Sequence, residues 1–295
     1  MRLRNHLTGY LFLSPWLIGL FVFTVGPMVS SLYLSFTEFD LFRPAQWIGL
    51  ENYRNLFLHD ERFYQSLKVT FFFAFISVPA RLIVSLLAAL LLNQGLRGIG
   101  LYRSVFYLPS LVGGSVGVAV MWRQIFGQDG ILNVLLGRLG LEGKVWIAHP
   151  DYAIYTIILL GVWQFGASMV IFLAGLKQIP EHLYEAAAID GASRIRKFTH
   201  ITLPMLSPVI FFNLIMQTIG AFMVFTQGFV ITKGGPMDST LFYALYLYEK
   251  GFTFFQMGYA SAMAWILLAI VAIFTALIFS SSKMWVHYES GNGGR

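Results

Sequence analysis

The sequence predicts an all-α membrane protein with six transmembrane helices. Two observations carry that prediction. Hydrophobic residues make up 57% of the 295 positions and charged residues 12%, with a mean hydropathy of +0.68; the charged share is about half that of a soluble domain. The apolar residues also run together for two dozen positions at a time, too long and too uncharged for the core elements of a globular fold.

Six stretches qualify: 10–36, 69–92, 105–126, 152–176, 208–231 and 258–281. Each reaches the roughly 20 residues that a helix needs to cross a bilayer. The first follows Arg2 and Arg4, as a secretory signal would. It stays apolar past Pro27 to Phe36 without a small-x-small cleavage site, so it reads as an uncleaved span. The outer loops carry turn signals such as Gly127-Gln128-Asp129-Gly130 and Gly234-Gly235-Pro236, and none is long enough for a separate domain. The chain is therefore expected to be one transmembrane domain over 1–295.

Charge placement orients the spans. With a cytoplasmic N-terminus, the inner segments hold Arg2, Arg4, Arg97, Arg103, Lys177, Arg194, Arg196, Lys197, Lys283 and Arg295. The outer loops hold Arg43, Arg54, Arg62, Arg138, Lys144, Lys233 and Lys250. The inner loop 93–104 is short and basic without an acid, so both termini are expected to be cytoplasmic. The net charge of +6 is spread between spans rather than gathered on a patch, which excludes a nucleic-acid partner and leaves membrane lipid as the surroundings. Most of the seven tryptophans lie near span ends, where an indole suits the headgroup region.

Cysteine is absent, which excludes disulfides and thiolate chemistry. The six histidines lie outside the spans without ligand-like spacing, so no metal site is expected. There is no GxxxxGK[ST] phosphate loop; Gly143-Lys144 is followed by valine. Nor is there a paired-carboxylate or Ser-His-Asp arrangement.

The loop 177–207 breaks the apolar pattern with EAAAIDGASRIRKFTHITLP. It reads as two short helices. Pro180 and Glu181 suit a helix start, Leu183 to Ile189 is helix-forming, and Gly191 can end that helix in a left-handed conformation. Ala192 to Leu203 can form a second helix, stopped by Pro204. Helices this short are marginal alone, so they need a surface. Leu183, Ala186, Ala187 and Ile189 with Glu185 and Asp190 suit a groove on another protein; Arg194, Arg196 and Lys197 equally suit anionic lipid headgroups.

Glu185-Ala186-Ala187, three residues, Gly191, nine residues, Ile201, one residue, Leu203-Pro204 resembles the EAA-loop signature of inner-membrane subunits of binding-protein-dependent ABC importers. FLSPWLIGLFVFTVGPMVSSLYLSFTEFD, GLENYRNLF, LYRSVFYLPSLVGGSVGVAVMWRQIF, FLAGLKQIPEHLYEAAAIDGAS and ITKGGPMDST are similar to the carbohydrate-uptake branch of that family, of the maltose or glycerol-phosphate type. The extra N-terminal spans and large periplasmic insertion of the maltose subunit are missing. The resemblance implies a six-helix importer domain whose cytoplasmic coupling helix sits in a cleft of an ATPase. It implies coupling roles for Glu185, Ala186, Ala187, Asp190, Gly191, Leu203 and Pro204. It implies a homologous second permease, two ATP-binding cassette ATPase subunits holding ATP and magnesium, and an extracytoplasmic solute-binding protein; this chain would carry no cofactor.

Polar residues at membrane depth are disfavoured unless they face protein or water, which makes Gln164, Ser168, Asn213 and Gln217 candidates for the solute path. Interhelical hydrogen bonding is the alternative for each. Phe165, Phe222 and Trp163 are candidates for stacking on a sugar. Arg81, mid-span after Pro79, either faces the path or pairs with carbonyls freed by Pro79 or with the second permease. An ion-coupled secondary transporter would show inverted repeats and buried acidic ligands, and a membrane enzyme a catalytic constellation; the spans show neither.

Overall fold

The computed structural model describes residues 12–94 and 98–287. Tyr10 at the expected start of the first span, together with Arg2, Arg4, His6, Arg97 and Arg295, lies outside the described residues.

In chain order the helices are α1 (Phe12–Ser35), α2 (Glu51–His59), α3 (Glu61–Leu92), α4 (Ile99–Val112), α5 (Val116–Ile125), α6 (Ile131–Arg138), α7 (Pro150–Trp163), α8 (Gly166–Leu176), α9 (Glu181–Ile189), α10 (Arg194–Phe222), α11 (Tyr243–Tyr248) and α12 (Met257–Trp285). α1, α3, α10 and α12 are each long and apolar enough to cross a membrane. Among the described residues the pairs α4/α5 and α7/α8 pass the same test together as bent pairs, which gives six candidate spans when each pair is taken as one. A short antiparallel ribbon pairs β1 (Thr37–Glu38) with β2 (Gln46–Trp47), Thr37 opposite Trp47.

Two expected spans differ in form. The stretch 105–126 is not one helix: α4 and α5 meet at 101°. Gly113-Gly114 has little helical preference, and Ser115 opens α5 by accepting the Val118 N–H at 3.3 Å. The bend is held from outside, since the Gln164 amide donates to Gly113 O at 2.8 Å. A Cβ on Gly113 would overlap the Gln164 side chain. The stretch 208–231 is also displaced, because the helix starts at Arg194 and ends at Phe222.

Pro204 therefore does not stop the second loop helix, contrary to the sequence expectation. Phe198–Thr202 winds as a wider turn in which Leu203 N–H reaches Phe198 O. That turn makes room for a ring lacking a donor, and the helix continues through Pro204 and Pro208. Past Phe222, Gly228–Thr232 forms another wide turn, and Lys233 and Gly234 take left-handed conformations, φ 53° and 81°. Apolar composition continues across this break because it reports depth rather than helical continuity.

Trp122 also departs from the headgroup-anchor expectation. It is buried and donates to Thr156 O at 2.9 Å, with Trp163 5.9 Å away ring to ring. It packs with Val118, Phe126, Leu160 and Ile231.

The chain groups into two compact units, one made of the chain up to Phe63 with Tyr246–Ala269, the other of Tyr64–Leu245 with the chain from Ile270. The first is organised around Asp60. Its carboxylate accepts the Phe63 N–H at 3.0 Å, capping α3, and the hydroxyls of Tyr246 at 2.7 Å and Tyr259 at 2.6 Å. Lys250 Nζ lies 3.9 Å from it. Burial alone would raise the Asp60 pKa; the hydrogen bonds from Tyr259, Tyr246 and Phe63, with Lys250, outweigh burial and hold it below the usual 3.8. The second unit has its main core where Ala89 and Leu92 of α3, Met169, Phe172, Leu173 and Leu176 of α8, and Leu206 of α10 converge.

Asp60→Asn is expected to destabilise the detergent-purified protein by about 2 kcal/mol at neutral pH. A depressed folded pKa stabilises above the unfolded value and loses that contribution as pH falls through the folded one. The melting-temperature gap between wild type and variant should therefore hold above 3.8 and close only below it; a gap that closes between neutrality and pH 5 contradicts the assignment. Gly113→Leu should cost about 1–3 kcal/mol by overpacking against Gln164, read as a lower melting temperature; an unchanged melting temperature contradicts the close approach of Gln164 to Gly113.

Candidate functional site

Two features of the Tyr64–Leu245 unit concentrate polar groups. The first lies at the two broken spans. Gln164 caps the C-terminal end of α7, where the chain bends by 40° into α8. Its carbonyl has no helical partner ahead and accepts Arg81 Nη2 at 2.6 Å. The next carbonyl, of Phe165, accepts Ser85 Oγ at 3.0 Å. With the Gln164 amide on Gly113 O, side chains from α3 and α7 satisfy the backbone at both breaks.

A cavity of about 120 Å³ opens beside this knot, lined on its polar side by Ser77, Arg81, Gln164, Gln217 and Gln227. Of the sequence candidates, Arg81, Gln164 and Gln217 are thus brought together. Ser168 sits behind them, buried, its hydroxyl accepting Gln217 Nε2 at 2.6 Å. Asn213 is 1% exposed, donates to Val209 O of its own helix at 3.1 Å and is not part of the lining. Phe165, Phe222 and Trp163 do not line it either: each ring pairs with another aromatic, Phe106, Phe71 and Trp122 respectively. The carbonyl that Arg81 meets is freed by the α7/α8 break and not by Pro79. Ser77 and Gln227 were missed, although Gln227 falls inside the expected span 208–231 and met the same criterion as Gln217.

The second feature is the loop 177–207. α9 starts after Pro180, which occupies the cap position, and ends at Asp190. Gly191 has φ +73°, Gly191 N–H bonds Ala188 O at 3.1 Å and Ala192 N–H bonds Ala187 O at 2.9 Å. This paired pattern with a left-handed glycine closes the helix. Ser193 Oγ then accepts Arg196 N–H at 3.3 Å and starts α10.

The two faces of α9 differ. Leu183 and Tyr184 pack on the core formed by Leu173, Leu176 and Leu206, and Tyr184 Oη lies 2.9 Å from Thr202 Oγ1. Leu183, expected to contact a partner, is thereby committed to the protein's own interior. His182, Glu185, Ala186 and Ile189 share the opposite, exposed face, one or two turns apart. Ile189 is 88% exposed and Ile195 77%. Asp190 is exposed, Ala187 half-buried, and Leu203 and Pro204 half-buried within α10. Glu185, Ala186, Asp190 and Gly191 are thus exposed at α9 and its closing turn, while Leu203 and Pro204 lie in α10 and are not exposed with them.

Comparison with known proteins completes the picture. The family described as binding-protein-dependent transport system inner membrane component matches residues 59–284. The chain is 55% identical over 290 residues to the probable ABC transporter permease protein YesP of Bacillus subtilis, covering 97% of this chain and 94% of that one. It is 36% identical over 279 residues to the sulfoquinovosyl glycerol transport system permease protein SmoG of Agrobacterium fabrum, covering 93% and 90%. A crystal structure of a bacterial ABC transporter involved in import of the acidic polysaccharide alginate superposes with a TM-score of 0.82 at 22% identity, over 96% of this chain and 99% of that one, and so shares the fold. The chain belongs to the inner-membrane components of binding-protein-dependent transport systems: it is a multi-pass permease subunit of an ABC importer and not itself a catalyst.

Proposed function

We propose that this permease forms, as one domain with a homologous second permease, the membrane path of an importer for a sugar or sugar-derived solute. Two ATP-binding cassette subunits, holding ATP and magnesium, drive it from the cytoplasm, and an extracytoplasmic solute-binding protein delivers the solute. Both termini lie in the cytoplasm, and so does the loop 177–207. The sugar class is supported by the relative named for sulfoquinovosyl glycerol. The solute path runs past Arg81, Gln164 and Gln217, with Ser168 holding Gln217 in place and Asn213 supporting the helix behind.

One observation carries the coupling role: α9 is rooted by Leu183 and Tyr184 in the core shared by α3, α8 and α10, while its other face is bare. A marginal helix with an exposed Ile189 next to Glu185 and Ala186 is a shape for a cleft in another protein. Ala186 allows close approach, Glu185 offers its carboxylate to a basic group of the ATPase, and the left-handed Gly191 sets the turn. Load applied to α9 then moves α8 and α10 together, a switch between two packings rather than a chemical step.

Purification of the complex from a host carrying all subunits should recover the ATPase with this chain, and uptake should be vanadate-sensitive. Solute accumulation without an associated nucleotidase would overturn the reading. Nothing lies within 4 Å of a Cβ added at Gly191, so a substitution there meets strain and not a clash. Gly191→Asp should therefore insert normally while the ATPase is lost or uncoupled, and Gly191→Asn, which tolerates the left-handed region better, should retain more activity than Gly191→Val. Normal uptake by all three would remove the turn from the mechanism.

A further inference from the structure

Arg81 is a cation at mid-span with an incomplete set of partners. Its guanidinium keeps its proton under all ordinary conditions. Nη2 reaches one neutral carbonyl, that of Gln164, at 2.6 Å. Nε is buried and has no hydrogen-bond partner. None of the residues lining its cavity is an aspartate or glutamate, and among the described residues Arg81 makes no ion pair.

Arg62 and Lys250, although more exposed to solvent, have carboxylate partners. In the larger cavity, of about 950 Å³, Arg62 Nη1 lies 3.3 Å from Glu249 and Lys250 Nζ 3.9 Å from Asp60. A cation at membrane depth without a counter-charge is destabilising by several kcal/mol. Backbone capping at Gln164 needs only a neutral donor, which a glutamine or serine would supply. The charge itself is left without a structural purpose.

We propose that this cavity receives the acidic group of the solute, a carboxylate, sulfonate or phosphate carried on a sugar, with Arg81 as its counter-charge and the amides of Gln164, Gln217 and Gln227 as neighbouring donors. This rests on the reading that the cavity lies on the solute path, and it narrows the solute from sugars at large to acidic sugars. Arg81 selects by charge, and the glutamines, which carry none, hold the hydroxyls around the anion.

The absence of cysteine from this chain gives a direct measurement. Ser77 lines the same cavity, and Ser77→Cys places one thiol there. In the assembled importer, the rate of modification of Cys at 77 by the anionic reagent 2-sulfonatoethyl methanethiosulfonate is compared with that of the cationic trimethylammonium reagent. Each rate is normalised to the same reagent's rate with glutathione, and the mass of this chain is the readout. A local positive field should favour the anionic reagent by roughly tenfold or more. Arg81→Gln in the same background should bring the ratio to about one, and Arg81→Lys should keep it. A ratio near one with Arg81 present overturns the proposal, because an acid of the second permease then already neutralises the cation. A preference that survives Arg81→Gln overturns it too, as does failure of both reagents to reach the thiol. Loss of the ATPase on purification would tell against the coupling reading and leaves the reagent ratio on the permease chain unaffected.

Discussion

Lipid offers no donor to a carbonyl, so a transmembrane helix can be interrupted only where protein replaces the lost hydrogen bonds. Two of the six spans are interrupted, and both interruptions converge on Gln164. Its side chain bonds the carbonyl at the α4/α5 bend, its own carbonyl is bonded by Arg81, and Ser85 takes the carbonyl that follows. Removing Arg81 or the Gln164 side chain strands a backbone carbonyl at membrane depth, which costs several kcal/mol; the Phe165 carbonyl keeps its bond from Met169 N–H without Ser85. The same constraint explains the small polar cavity at this depth: side chains brought in to serve broken backbone leave polar surface between helices. The backbone bonds at the α4/α5 and α7/α8 bends and the cavity lined by α3, α7 and α10 therefore share Arg81 and Gln164.

The proposed docking face depends on a second constraint, the shortness of α9. Nine residues do not hold a helix in water. The stability of α9 comes from three sources: the core contacts of Leu183 and Tyr184, the bond between Tyr184 and Thr202, and the closed turn at Gly191. Because Leu206 and Leu173 belong to the cluster that anchors α9, the helix cannot shift without carrying the ends of α8 and α10 that flank the loop. α10 carries Gln217, so one wall of the cavity belongs to a helix that flanks the loop, and Gln164, in another wall, lies two residues before α8.

The six spans were legible because composition reports depth, and five of their approximate positions follow from it. Helix interruptions were not, since Gly113-Gly114 in an apolar run signals freedom but not a 101° bend; the bend needs Gln164, 51 residues away. Pro204 was misread for a related reason, because whether proline stops a helix depends on the turn before it, and the wide turn at Phe198–Thr202 has no marked composition. In the loop, Gly191 and its helix were legible locally, whereas the inward commitment of Leu183 needed the core to be known. Among the path candidates, polarity at depth picked out Gln164 and Gln217, which line the cavity, but could not separate them from Asn213, which does not line it and donates to Val209 O of its own helix. The Asp60 cluster was invisible, since Tyr246 and Tyr259 lie 186 and 199 residues away.

Asp60 and Arg81 show two uses of a buried charge near one helix. Asp60 caps the start of α3 and is saturated: two hydroxyls, a backbone N–H and a lysine surround it, and its pKa is held low because the ionised form is the one they favour. A saturated charge has no capacity for a ligand; it fixes position. Arg81, in the middle of α3, is held by one carbonyl and left open on another side. Fixing the break would need a donor and not a charge, and a charge retained against the solvation penalty of the bilayer must be answered when the cavity is filled. The difference in coordination is plain: the Asp60 carboxylate is met by four groups, whereas Arg81 Nε has no hydrogen-bond partner.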